Sequence, residues 1–402
     1  MRVSTNHFYN LNSHNMTKLQ SDTNKSLSQL ATGKKVNTAA DDPVAAIAIE
    51  NLNQQDQRLG QYKSNINLAY NRLSQQESRL GEYENLLMNM RDKMLQGNDG
   101  ALPAEAREAL ALDLEEGLKA VVALGNTQDE NGNYVFAGHQ ADLKPFVGGA
   151  SGAVGFLGDQ GRRNMPVAEG VSVPVSESGQ RIFMDASNGS GDYRADYAGA
   201  TMGGEYFIET ANIVNPAVHT AGDYSLAFGD DGMGNTTITA TDSGGAVLLP
   251  TQLFDASQPI LFNGMEMTIS GAPQPGDSVD MSNQPTADVF TTLQNTVALL
   301  RNPAGMSGTN VQAQFAQVLH DFRGAQDSAS VVRAESGNYL RSLDTFQNQH
   351  ESMELVNASA KSTLQDLDYA EAISEFEKQS LALNAVTQTF AKVQDVSLFN
   401  YI

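Results

Sequence analysis

The chain has 402 residues, a net charge of −22 at pH 7, and neither Cys nor Trp. Without Cys it can form no disulfide, thiolate metal site or cysteine nucleophile. The negative charge argues against nucleic acid or an anionic membrane surface as the main partner. Between Glu130 and Asp288 there are 19 acidic and 5 basic residues, so the excess charge is concentrated in the middle of the chain, where solubility is its simplest explanation.

Nothing in the sequence predicts a membrane-spanning or cleaved targeting segment. No apolar run approaches the ~18 residues that a transmembrane helix needs. The start, from Met1 to Phe8, lacks the apolar segment of a cleaved signal peptide. We therefore expect no membrane partner, and export of this chain would need another route.

The first 32 residues are predicted to form a polar helix with sparse apolar positions among Asn, Ser, Thr and Gln. Such a helix is marginal alone and would become ordered against partners. Gly33 suits the left-handed residue that ends a helix, and Asp41 or Asp42 before Pro43 suits the start of the next one. The positions that we assign to an assembly interface are Phe8, Leu11, Leu19, Leu27 and Leu30.

A seven-residue repeat predicts one long helix from Asp42 to Gln96. A repeat held over six intervals is typical of a left-handed coiled coil, so this helix requires a second long helix as its partner. We call the apolar positions of these two helices the rod core. On the first helix its members are Leu52, Leu59, Ile66, Leu73, Leu80 and Leu87.

The middle of the chain changes from helix to short strands. A third helix is predicted from about Pro103 to Leu124, and the Asn-Gly turn at Asn131 predicts a hairpin leading into a strand. From there to about Asp288 the sequence is rich in Gly, Thr, Ser and Asp, which favours an inserted β-rich domain. Whether this insert forms one β domain or two is left open by the sequence.

The second long helix is predicted from Val311 to Leu367, after an interruption at Pro303 to Gly308. Its rod-core positions are Val318, Val332, Tyr339 and Phe346. The register shifts after Leu367, which predicts a separate terminal helix that pairs with the first 32 residues. The interface positions on this last helix are Ile373, Phe376, Leu383, Val386, Phe390 and Val393.

These elements together predict an α+β fold, in which N- and C-terminal segments form a long coiled-coil-like helical bundle with an inserted β-rich domain. The predicted divisions are 1–40, pairing with 369–402, then 41–130 and 289–368 as the two halves of the helical rod, and 131–288 as the insert.

A search for catalytic or ligand-binding chemistry finds none. The six histidines are scattered; His7 and His14 stand seven residues apart on one helix, a weak basis for a metal site. The stretch from Gly148 to Gly155 lacks the residues of a phosphate loop and is predicted to be an ordinary loop. The segment starting at Asp129 fails as a calcium loop because its sixth position is not Gly. We therefore predict no enzyme activity, catalytic residue, cofactor or metal.

Two blocks resemble a known family. The stretch from Leu27 to Ala46 resembles the N-terminal block of bacterial flagellins and their junction homologues, and the stretch from Asp366 to Phe390 resembles the matching C-terminal block. The segments Asn131–Gly138 and 397–402 are similar to hook–filament junction members of this flagellin superfamily rather than to flagellin itself. The β-rich insert carries no such motif.

The resemblance implies a structural subunit of the bacterial flagellum, a junction adaptor that joins the hook to the flagellin filament. Its implied partners are hook-associated protein 1, flagellin, copies of itself in a ring, and an export chaperone on the C-terminal helix. It also implies type III export, without a cleaved signal peptide, to an extracellular location. The alternatives are a minor flagellin, an adhesive module displayed by the insert, or a hydrolase within the insert, for which no clustered constellation is present.

Overall fold

The computed structural model describes residues 2–149, 152–303 and 305–395, and within them helical ends enclose a strand-rich middle. The predicted α+β fold class is confirmed. The α-helices of these residues are α1 (Arg2–Thr32), α2 (Pro43–Gly97), α3 (Ala104–Gly125), α4 (Val289–Leu300), α5 (Thr309–Gln365) and α6 (Tyr369–Asp395). None of the described helices has both the length and the apolar character needed to cross a membrane.

The strands lie between α3 and α4, together with a π-helix at Gln180–Met184. They are β1 (Phe146–Gly149), β2 (Gly152–Phe156), β3 (Asn164–Ala168), β4 (Val171–Pro174), β5 (Ala186–Ser187), β6 (Tyr193–Thr201), β7 (Glu205–Ile213), β8 (Tyr224–Asp230), β9 (Thr236–Asp242), β10 (Val247–Leu253), β11 (Ile260–Phe262), β12 (Met265–Ala272), β13 (Ser278–Asn283) and β14 (Thr286–Ala287).

The strands pair antiparallel. One sheet has the order β10-β9-β8-β13-β6, and a second has the order β11-β12-β7. The pairs β1–β2, β3–β4 and β5–β14 form small two-stranded sheets. The hairpin between β8 and β9 keeps one register over its whole length, from Tyr224 opposite Asp242 to Asp230 opposite Thr236.

The chain divides into two compact units. The first combines the described residues up to 64 with those from 345 onward, and the second comprises the described residues of 65–344. The five segments predicted from the sequence are a different division, and their boundaries remain predictions.

The helix boundaries in the first unit follow from local chemistry. Gly33 adopts a φ of +70° and its N–H donates to Gln29 O at 2.8 Å, which ends α1. Asp42 Oδ1 accepts the N–H groups of Val44 and Ala45, each at 3.0 Å, and so caps the start of α2 with Pro43 at its first position. The predicted end of one helix and start of the next both occur.

Helices and insert share one hydrophobic core in the second unit. The segment between α3 and β6 contributes Phe136, Phe146 and Phe183, which are fully buried against residues of α2, α3, α4 and α5. The ring of Phe183 meets those of Tyr83 and Phe146 edge to face, with centroids 4.7 Å and 5.3 Å apart. This part of the strand-rich middle is therefore packed into the helical core.

The strands β6 to β13 enclose a second core. Its members include Tyr197, Leu226, Ile238, Met267 and Met281. On β6, β8, β12 and β13 these buried residues alternate with exposed or half-buried ones, whereas β9 has no exposed residue. Ala313 of α5 is the helical residue of this cluster. The strand-rich middle thus uses two cores, one shared with the helices and one largely its own.

One local prediction was confirmed in part and another was wrong. The Asn131–Gly132 turn forms and is closed by an antiparallel bridge between Gln128 and Tyr134, but the residues beyond it do not continue as a strand. The stretch predicted as a loop at Gly148–Gly155 instead contributes to the paired strands β1 and β2. Burial of Phe146 and Val154 at the two sides of this hairpin favours pairing over an exposed loop.

Candidate functional site

The helices α1 and α6 pack along each other in the first unit. The rings of Tyr9 and Phe390 meet edge to face with centroids 5.5 Å apart. Nearer the other end of the pair, Ser26 Oγ donates to Gln379 Oε1 at 2.8 Å. Because these contacts pair an early residue with a late one, the two helices run antiparallel.

The connector that follows α1 is hydrogen-bonded to the end of α5 and to the connector that precedes α6. Lys35 N donates to Gln365 O at 2.7 Å, and Leu367 N donates to Gly33 O at 3.0 Å. The ammonium group of Lys35 also donates to Thr363 O at 2.9 Å. The end of α1 is therefore fixed beside the start of α6.

Asp41 organises the connector between α1 and α2. Its carboxylate pairs with Lys25 Nζ at 2.9 Å and accepts the N–H groups of Thr38 at 2.9 Å and Asn37 at 3.1 Å. The hydrogen bond from Lys25, with those from the backbone, lowers the pKa of Asp41 to about 2. The connector is thus held by a carboxylate that remains ionised well into the acid range.

The terminal helix pair leaves apolar side chains open to solvent. Leu11, Leu27 and Ile373 are 51%, 52% and 47% exposed. The other described members of the predicted interface are half-buried, namely Leu19, Leu30, Phe376, Leu383, Val386 and Phe390. The side chains of Phe8 and Val393, two further predicted members, lie outside the described part.

Leu381 is not among the predicted interface positions, yet it is 74% exposed. At about 100° per residue along a helix, Leu381 falls on the side of α6 opposite Phe376 and Leu383. The prediction followed one apolar stripe and so omitted the second face. An isolated Leu on the polar side of an otherwise amphipathic helix was the available signal.

The rod-core residues of the first unit form a seam of aliphatic and aromatic side chains. Leu59 is buried, whereas Leu52 and Phe346 are half-buried. His350, which the repeat places on the same seam, is buried and stacks on Tyr62 with ring centroids 5.7 Å apart. The seam in this unit therefore combines aliphatic and aromatic contacts.

The rod-core residues of the second unit are more deeply packed. Tyr339 is half-buried, and the others are buried, namely Ile66, Leu73, Leu80, Leu87, Val318 and Val332. Gln76 Nε2 donates to Ser336 Oγ at 3.2 Å within this seam. Beside it, the guanidinium of Arg333 pairs with both Glu77 and Glu84.

Two histidines of the second unit make contacts within the fold. His219 Nδ1 lies 3.0 Å from Asn263 O, and its Nε2 lies 3.2 Å from the Tyr193 hydroxyl. Burial lowers the pKa of His320, whose ring packs on Phe207. No group of three or more His, Asp or Glu side chains within the described residues is arranged to hold a metal ion.

A cleft with a volume of about 740 Å³ lies between β6, β13, α4 and α5. Its lining includes Arg194, whose guanidinium lies 2.7 Å and 2.8 Å from the two carboxylate oxygens of the buried Asp321. Gln317 Nε2 donates to Ala195 O at 2.9 Å in the same wall. These polar groups join a strand to a helix, and they form no pairing of nucleophile and base.

Comparisons with known proteins agree with the sequence motifs. The family described as the bacterial flagellin N-terminal helical region matches residues 3–141. Flagellar hook-associated protein 3 of Salmonella typhimurium is 26% identical over 404 residues, covering 99% of both chains. The similarity therefore extends through the strand-rich middle, which the motifs alone did not connect to any family.

Solved structures give the same result for the fold. The flagellar junction protein FlgL from Legionella pneumophila aligns with a TM-score of 0.67 at 24% identity, covering 79% of this chain and 100% of its own. FlgL of Xanthomonas campestris aligns with a TM-score of 0.61 at 26% identity, covering 74% of this chain and 98% of its own. The resemblance predicted from the sequence is confirmed.

Proposed function

We infer from these similarities that the chain is a structural subunit of the bacterial flagellum, of the hook-associated protein 3 type, which joins the hook to the flagellin filament. The relatives are structural flagellar proteins, and the role that we propose involves no catalysis. It needs surfaces that bind neighbouring subunits, and the terminal helix pair offers them.

The exposed apolar side chains of α1 and α6 are the observation that carries the proposal. Leu11 and Leu27 on α1 and Ile373 and Leu381 on α6 are each about half exposed or more. Full burial of such a side chain contributes about 1.5–3 kcal/mol, so neighbours that cover these positions would stabilise the pair. We propose that these residues and the half-buried members of the predicted interface contact other subunits.

The partners that we propose are hook-associated protein 1, flagellin and further copies of this chain in a ring. An export chaperone would bind α6 before assembly, because a polar and marginally stable terminal helix becomes ordered on binding. Export through the flagellar type III apparatus would place the chain outside the cell. Polar termini suit this route, since they bury little apolar surface before assembly.

Deletion of the chromosomal copy tests the proposed junction role. We expect hooks to form, filaments to be absent, and flagellin to appear as monomer in the medium. Filaments of normal length in the deletion strain would instead favour a minor flagellin or an adhesive module displayed by the strand-rich middle.

Complementation with variants of Leu381 tests the surface. Leu381→Asp should restore filaments poorly, because it places a charge where we propose apolar contact. Leu381→Met is the matched control and should restore them, because it keeps an apolar side chain of similar volume. Equal restoration by both variants, at equal amounts of exported protein, would exclude Leu381 from the interface.

A further inference from the structure

The sequence contains three Asn-Gly pairs, at Asn131–Gly132, Asn188–Gly189 and Asn263–Gly264. An Asn before Gly can react with its own backbone, because the following residue has no Cβ to hinder approach of its nitrogen to the side-chain amide. The three pairs share this chemistry but differ in how the fold holds the Asn side chain.

Both Nδ2 and Oδ1 of the Asn188 side chain are hydrogen-bonded. It is buried, and its Nδ2 donates to Gln284 O at 2.9 Å and to Tyr193 O at 3.3 Å. Its Oδ1 accepts the N–H of Ser190 at 3.1 Å. The side chain cannot turn towards Gly189 without breaking these bonds.

Asn263 is held in a similar way. Its Nδ2 donates to Thr220 O at 3.0 Å and to the Tyr224 hydroxyl at 2.7 Å. Its Oδ1 accepts the N–H of Thr220 at 3.1 Å. With a φ of +45°, its backbone also has an unusual conformation that the surrounding contacts fix.

Asn131 differs from both. It is exposed, and within the described structure its side-chain amide takes part in no hydrogen bond, although its backbone N–H donates to Asp129 Oδ1 at 2.9 Å. Gly132 is also exposed, and its N–H donates to Asp129 O at 3.0 Å. Only this single bond of a surface turn must open to release the nucleophilic nitrogen.

We propose that Asn131 is a site of spontaneous deamidation in the folded protein. Loss of the Gly132 amide proton to hydroxide allows its nitrogen to attack Cγ of Asn131. The bond from Cγ to Nδ2 breaks, Nδ2 takes up a proton and leaves as ammonia, and a five-membered succinimide remains. Water then opens either carbonyl of that ring to give an aspartyl or an isoaspartyl residue, with no change in oxidation state.

The product changes the turn in two ways. Either form adds a negative charge close to Asp129 and Glu130, where like charges repel. The isoaspartyl form also adds a methylene to the backbone of a turn that is closed by Asp129 N donating to Asn133 O at 2.8 Å. Since Val135 lies just beyond the turn and is buried, loosening the turn affects the point at which this segment enters the core.

Peptide mass mapping of the full-length protein after incubation at mildly alkaline pH tests the proposal. Deamidation is detected as the mass change from amide to acid in each peptide. In the folded protein the Asn131 peptide should be deamidated at least about tenfold faster than the Asn188 and Asn263 peptides, because the side-chain hydrogen bonds of Asn188 and Asn263 must open first. In concentrated urea the three rates should become similar, because the sequence chemistry is the same.

The variant Asn131→Gln is the matched control, since its longer side chain disfavours the five-membered ring. It should remove the fast modification and leave the other two sites unchanged. Equal rates at all three sites in the folded protein, or an unmodified Asn131 under conditions that modify it in urea, would overturn the proposal.

Discussion

The crossing of the segment Ser187–Gly189 over α5 depends on two glycines that allow backbone to approach backbone. A Cβ at Gly324 of α5 would lie 2.0 Å from Ser187 O and 3.0 Å from Gly189 N. Reciprocally, a Cβ at Gly189 would lie 1.8 Å from His320 O. Because these neighbours are backbone atoms, no side-chain rotation can make room, and the segment must move away from the helix.

The expected effect of Gly324→Ala is therefore a balance of two terms. Replacing a helical Gly by Ala contributes about 0.5–1 kcal/mol of stability when the site is open. Forcing a methyl group into a packed contact costs about 1–3 kcal/mol. The displacement would also lengthen the bond from Ser187 N to Ser328 Oγ, which is 3.0 Å long. We expect the free energy of unfolding to fall by about 1–2 kcal/mol.

Gly337 supplies a control on the same helix. A Cβ there would have no heavy atom within 4 Å, so Gly337→Ala should raise the free energy of unfolding by up to about 1 kcal/mol. Urea unfolding followed by circular dichroism and by tyrosine fluorescence measures both variants, since the chain has no Trp. The midpoints should move in opposite directions with the slope unchanged. Equal midpoints for the two variants would refute the packing argument.

Two electrostatic predictions follow from buried and connector carboxylates. Burial raises the pKa of Asp321, against the opposing effect of Arg194, so Arg194→Met should cost about 3–5 kcal/mol at pH 7, and the cost should shrink as the pH falls and the unpaired carboxyl takes up a proton. The exposed Lys119→Met should change urea stability little, and a similar loss in both variants would contradict this reasoning. The lowered pKa of Asp41 stabilises the folded state above its ordinary value of 3.8, and this contribution is lost as the pH falls towards about 2. Asp41→Asn should flatten the pH dependence of helix melting in that window, whereas an unchanged profile would show that its pair with Lys25 contributes nothing.

The helical part of the fold was predictable because its signal is periodic. The seven-residue repeat predicted a helix over 42–96 and the structure has α2 at Pro43–Gly97, while the break after Leu367 lies beside the gap between α5 and α6. Local rules also predicted the caps at Gly33 and Asp42, since each cap depends on residues within four positions.

The strand-rich middle was less predictable because its structure depends on distant contacts. The residues after the Asn131–Gly132 turn make isolated bridges rather than a strand, and Phe136 packs beside Phe183, far away in sequence. The glycines of β1 and β2 suggested a loop, but Phe146 packs on Phe290 of α4 and gives the hairpin a core to cover. Neither contact can be inferred from a short stretch of neighbouring residues.

The predicted interface on the terminal helices was predictable from the sequence in part. Half-burial of Phe376 and Leu383 on α6 is the result expected of an apolar stripe, whereas the exposure of Leu381 depends on which side of α6 faces α1. The designation of the whole set as an interface remains a prediction, since it concerns subunits that a single chain does not contain.

The exposed apolar area of the terminal pair sets a limit on how assembly can proceed. Covering the exposed parts of Leu11, Leu27, Ile373 and Leu381 would contribute roughly 3–7 kcal/mol in total, at about 1.5–3 kcal/mol for each full burial. Association of two proteins costs about 4–15 kcal/mol in lost translational and rotational freedom. This gain overlaps only the lower part of that cost, so we expect one neighbour that covers these four side chains alone to bind weakly. We therefore expect several neighbours to contribute contacts at once, as the proposed position in a ring between hook and filament would provide.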